Sequence, residues 1–103
     1  MKTTIVRSQG EYFSAVKTEY CIGVFVDDIP DYDAVGDKDV TNYGIYVYLT
    51  SGKVFYGGEY TTKEKAEIVA KECMAYISGR SSLEGDFWFP DDKDVVVKEK
   101  FDV

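Results

Sequence analysis

At 103 residues, with 45% apolar and 30% charged side chains, the chain has the size of a single domain and the composition of a folded globule, which excludes disordered and collagen-like classes. A net charge of −7 argues against direct nucleic-acid binding, because such a surface repels phosphate. No apolar stretch approaches the roughly 20 residues of a membrane span and no secretory leader is visible, so a cytoplasmic protein is expected.

In chain order, Thr3 to Arg7 reads as a weak strand. Residues 9–18 read as a short helix, although Tyr12, Phe13 and Val16 would also suit a strand. Tyr20 to Val26 (YCIGVFV) is rich in β-branched and aromatic residues and reads as a buried strand. An acidic loop follows. Tyr43 to Thr50 (YGIYVYLT) and Lys53 to Tyr60 (KVFYGGEY) then flank Ser51-Gly52, a two-residue turn of the hairpin type.

Pairing Thr50 with Lys53 predicts the faces of this 43–60 hairpin. Leu49 and Val54, Val47 and Tyr56, and Ile45 and Gly58 fall on the core face, because side chains alternate with period two. Tyr46, Tyr48 and Phe55 fall on the other face, with Thr50, Lys53 and Glu59 at its ends, so that face is aromatic and presents a surface for internal packing, a small ligand or a second copy of the chain.

Thr61-x-x-Glu64 has the spacing of a capping box, and 62–77 reads as one helix stopped by Gly79. Ala66, Val69, Ala70, Cys73 and Ile77 form its apolar stripe. After a loop, Val95 to Phe101 reads as a last strand. The expectation is an α+β fold in one domain, 1–103, with an antiparallel sheet of four to five strands packed by one main helix.

The residues offer little chemistry. There is no histidine, and the only two cysteines, Cys21 and Cys73, lack Cys-x-x-Cys spacing, which argues against a zinc site and for buried structural thiols. Ser81-Ser82 has no base partner, Cys21 has no cationic neighbour to activate it, and Gly57-Gly58 opens no phosphate-binding helix. Neither catalysis nor a cofactor is expected.

The charge is local. Residues 27–39 (DDIPDYDAVGDKD) contain six Asp and one Lys, and residues 84–94 (EGDFWFPDDKD) contain five acids and one Lys, leaving a slightly basic remainder. Asp31, Asp33, Gly36, Asp37 and Asp39 echo an EF-hand loop, but Val35 and Asn42 stand where that loop needs an oxygen ligand and a bidentate Glu. A metal is not expected. A row of carboxylates can instead occupy a basic groove that normally neutralises phosphates, or serve only as a solvated surface. On the first reading the contacts are Asp27, Asp28, Asp31, Asp33, Asp37 and Asp39, joined by Asp91, Asp92 and Asp94. Trp88, in the run Phe87-Trp88-Phe89, would be the aromatic anchor.

With its Asp-rich loops DDIPDYDAVGDKD and FPDDKD around the core YGIYVYLTSGKVFYGGEYTTKEKAEIVAKE, the chain resembles in general character the small acidic inhibitors encoded by phages and mobile elements, of the anti-CRISPR and anti-restriction type. The resemblance rests on no family motif and transfers no functional residue. It implies a stoichiometric inhibitor whose partner is a basic protein, such as a nuclease complex. A homodimer or small-ligand module using Tyr46, Tyr48 and Phe55 is the alternative.

Overall fold

The computed structural model describes residues 4–10, 14–30 and 41–97. The fold is α+β, with two three-stranded sheets and one main helix. Strands β1 (Ile5–Arg7), β2 (Ala15–Lys17) and β6 (Phe87–Trp88) make the small sheet in the order β2-β1-β6. Strands β3 (Cys21–Pro30), β4 (Thr41–Leu49) and β5 (Val54–Tyr60) make the long antiparallel sheet in chain order. Helix α1 is Lys63–Ile77.

Three expectations are corrected in this layout. Within 9–18, Ala15–Lys17 is a strand antiparallel to β1 rather than helix, and Ser8 N–H donates to Ser14 O at 2.8 Å to close the loop between them. Phe87–Trp88 forms a strand parallel to β1 where a loop is expected. Of the last strand, Val95–Val97 carry no strand pairing, and 98–101 lie outside the described residues.

The hairpin register also differs, and the turn is the cause. Leu49 N–H donates to Lys53 O and Gly52 N–H to Leu49 O, both at 3.0 Å, which closes a three-residue loop with Gly52 at φ 86°. That left-handed residue is what such loops need. Tyr48 therefore faces Val54, Val47 faces Phe55, and Tyr46 faces Tyr56. A one-residue slip moves every side chain to the opposite face. Phe55, expected on the tyrosine face, thus lies in the core at 8% exposure, while Val54 and Tyr56 move to the tyrosine face. An extra residue at Gly57 then restores the expected pairing of Ile45 with Gly58.

The helix begins one residue later than the capping-box spacing suggests. Thr62 is the N-cap, its hydroxyl accepting from Lys65 N–H at 3.2 Å. At the other end Arg80 N–H reaches Ala75 O and Gly79 N–H reaches Tyr76 O, with Gly79 at φ 76°, the two bonds of a Schellman stop. Ala66, Val69, Cys73 and Tyr76 are buried and pack on the core face of the long sheet with Ile45, Val47, Phe55 and Tyr60. Val6, Phe87 and Phe89 bring the small sheet into the same core.

Gln9 joins the sheets. Its N–H donates to Gly57 O at 2.8 Å, its amide donates to Glu59 O and Pro90 O, and its Oε1 accepts from Glu59 N–H at 2.9 Å. The side-chain amide thus pairs with the outer edge of β5 as a strand would, and it is 4% exposed. Its position fixes where the segment after β6 runs, which matters for the charge.

Candidate partner-binding face

The described part of the first acidic segment, residues 27–30, and the second segment approach one end of the long sheet. Asp27 pairs with Gly44 and Gly44 with Glu59, so the two carboxylates lie on the same face, one strand to either side of Gly44. At the usual interstrand spacing they are about 10 Å apart. Beyond β5, Asp92 accepts from Thr61 N–H at 2.8 Å and Tyr60 donates its hydroxyl to Pro90 O at 2.7 Å, so Pro90–Asp92 runs beside Glu59–Thr61. An open depression of about 430 Å³ there is lined by Gln9, Glu59, Asp91, Asp92 and Lys93. Burial, together with the charges of Asp91 and Asp92, raises the Tyr60 pKa against the lowering effect of Gln9, so the phenol stays neutral.

The expected contact residues divide. Asp27 and Asp28 are exposed near the end of β3, and Asp91 and Asp94 are exposed after β6. Asp92 is engaged within the fold: besides Thr61 it meets Lys65 Nζ at 3.2 Å. Burial raises its pKa, but the bonds from Thr61 and Lys65 outweigh that and leave it below the usual carboxylate range. Asp86 is likewise paired with Arg7, at 2.6 Å. Asp31, Asp33, Asp37 and Asp39 lie outside the described residues, in a segment that leaves and rejoins the sheet through the Pro30–Thr41 pair at this same end.

The run 87–89 splits by strand alternation. Phe87 and Phe89 are buried at 5% and 3%, whereas Trp88 is 59% exposed with the Arg7 guanidinium 5.0 Å from its ring centroid.

On the sheet face away from the helix, Phe25 stacks on Tyr46 and Tyr48 with centroids 5.1 and 4.5 Å apart, and Tyr46 meets Tyr56 at 5.1 Å. None of these four rings belongs to the core cluster. Burial first, then the charges of Asp27 and Glu59, raise the Tyr46 pKa, consistent with all three side chains sharing this face. Phe25 and Tyr56 are the members of this face that sequence reading misses, whereas Glu59 is expected at its end. The signal that finds them is the register of both hairpins taken together.

Cys21 and Cys73 are unbonded and buried; burial, then the Cys21 charge, pushes Cys73 up to about 12, and burial raises Cys21. Such thiols are poor nucleophiles at neutral pH. Among the described residues no group of three or more His, Cys, Asp or Glu is arranged to hold a metal ion, and no helix is long and apolar enough to cross a membrane. In comparisons with known proteins, no family model, no curated protein and no solved structure matches the chain.

Proposed function

We propose that the chain is a non-enzymatic inhibitor of the small acidic type that phages and mobile elements encode, acting in the cytoplasm on a basic protein partner. Its carboxylates occupy the groove in which a nuclease complex, of the kind that anti-CRISPR proteins block, would hold nucleic acid. The observation that carries this reading is the register Asp27–Gly44–Glu59, with Asp91 on the adjacent segment, which gathers carboxylates from three elements at one end of one sheet. Clustered carboxylates with little internal pairing attract a basic groove over a distance and make the association sensitive to salt.

The test is DNA cleavage by purified RNA-guided and restriction nucleases titrated with the chain. Stoichiometric inhibition is expected, weakened roughly tenfold or more between about 50 and 200 mM salt. It should disappear when Asp27, Asp28 and Asp91 are together replaced by Lys. Asp92 is left intact because it holds the start of the helix. Failure to inhibit any nuclease, or inhibition that the triple variant retains, refutes the reading.

The rival use of the aromatic face as a symmetric dimer contact has one observation for it, the 46% exposure of Tyr48. Against it, Asp27 and Glu59 flank the rings, and a second copy would bring the same two charges.

A further inference from the structure

We propose that the face of the long sheet away from the helix is an arginine-binding site, in which a guanidinium of the partner lies against Tyr46, the ring of the Phe25–Tyr46–Tyr48 stack nearest Gly44, and is held by Asp27 and Glu59. The inference rests on the inhibitor reading for its biological partner and names the side chain by which that partner is gripped.

Three observations support it. First, the rings form a continuous stack outside the core, and Tyr48 at its end is 46% exposed. Phe25 has both faces covered by its neighbours, so the end rings Tyr46 and Tyr48 are the ones whose outer faces can attract a guanidinium through quadrupole and plane-on-plane contact, and Tyr46 is the one in register beside Gly44. Second, Gly44 stands in register between Asp27 and Glu59, and a Cβ there would meet Ile29 Cδ1 at 2.7 Å, Tyr46 Cε2 at 3.0 Å and Tyr56 Cε1 at 3.1 Å. Neighbouring side chains therefore lean over the glycine, making an apolar floor with a carboxylate on either side. One oxygen of Asp27 accepts from Asp28 N–H at 2.9 Å, which fixes the side chain.

Third, the strands that make the face, β3, β4 and β5, include not one Lys or Arg. The molecule shows elsewhere what such a set of parts does when an arginine is present. Arg7 lies 5.0 Å from the centre of the Trp88 ring and is gripped by Asp86 at 2.6 Å. Rings and carboxylates recur on the sheet face, and the arginine is the missing member. Arginine is favoured over lysine because a planar fork can stack and bridge oxygens at once, which a hydrated ammonium cannot.

The test titrates the isotope-labelled chain with a blocked Gly-Arg-Gly peptide, using the citrulline and lysine analogues as controls, and follows amide shifts. Saturable shifts centred on Gly44 and Tyr46 are expected with arginine, weaker binding with lysine, and none with neutral citrulline. Asp27→Asn with Glu59→Gln should weaken arginine binding about tenfold, whereas Asp91→Asn with Asp94→Asn, which removes the same charge, should change it less than twofold. Melting curves confirm that both variants fold. Equal losses in the two variants, shifts centred elsewhere, equal response to citrulline, or a wild type that sediments as a dimer through Tyr48 would overturn the proposal. Nuclease inhibition separates the two readings. Inhibition that survives Asp27→Asn with Glu59→Gln but not the Lys triple variant removes the arginine site alone, whereas saturable arginine binding with no nuclease inhibited removes the inhibitor reading and leaves the site.

Discussion

Asp92 sits in the run Pro90-Asp91-Asp92-Lys93-Asp94, where the sequence gives it the same standing as its neighbours, yet its surroundings make it a different residue. It caps the backbone just ahead of α1, taking Thr61 N–H and the Thr61 hydroxyl while pairing with Lys65. These partners favour the ionised form and hold its pKa below the ordinary 3.8 despite burial. A carboxyl whose pKa is lower in the folded chain than in the unfolded one stabilises the fold at neutral pH, and that contribution is lost as pH falls through the lowered pKa. Its side chain keeps 31% of its surface in water, so the effect stays modest. Asp92→Ala should cost about 1–2 kcal/mol at pH 7, lowering the melting temperature by about 5–10 °C. The gap to the wild type should narrow progressively below about pH 4. Thermal melts from neutral to acid pH check this; a constant gap would mean that the cap is not ionic.

The elements show which sequence signals survive folding and which depend on distant partners. Helix α1 was legible because its cap, apolar stripe and glycine stop all lie within the segment itself, and even there the cap moved from Thr61 to Thr62. The hairpin was legible as a hairpin, but its faces turned on one extra residue in the turn and another at Gly57, and so Phe55 was placed on the wrong side. Strand β6 is two residues long and pairs with β1, some 80 positions upstream, so no local pattern marks it. The same holds for the candidate site: Asp27 stands out and Glu59 falls at the end of the tyrosine face, but only the two registers together bring Phe25 and Glu59 beside Asp27. Gly57 and Gly58 record the cost of this non-local assembly. A Cβ on Gly57 would lie 2.4 Å from Phe89 Cζ, and one on Gly58 2.6 Å from Gln9 Cδ. Gly58→Ala should therefore expel the Gln9 amide from the β5 edge. It and Gln9→Leu should each destabilise by about 2–4 kcal/mol, because Glu59 N–H and Glu59 O then lose their partner and Pro90 O keeps only the Tyr60 hydroxyl. Since both changes break one network, the double variant should cost little more than either alone in chemical denaturation. Additive losses would show that Gln9 and Gly58 act separately.

Across the molecule, charge is sorted rather than spread. Among the described residues, cations lie on the helix, in turns and on the small sheet, and two of them, Arg7 and Lys65, neutralise acids of the 84–94 segment. The long sheet has carboxylates and no cation. An arrangement that serves stability would not leave Asp27 and Glu59 facing the same side of Gly44 on strands that carry no cation. At about 10 Å in water, two such charges repel by about 0.4 kcal/mol before screening. The stability cost is small, but its sign is informative, because residues kept for binding commonly oppose the fold. Asp27→Asn with Glu59→Gln should therefore raise the melting temperature by about 2 °C at about 10 mM salt, where the screening length is long, and the gain should vanish near 1 M. The same variant should bind the arginine peptide more weakly. A stabler molecule that has lost its ligand is the result expected of a functional pair; a variant that loses stability together with binding would mark these carboxylates as parts of the fold.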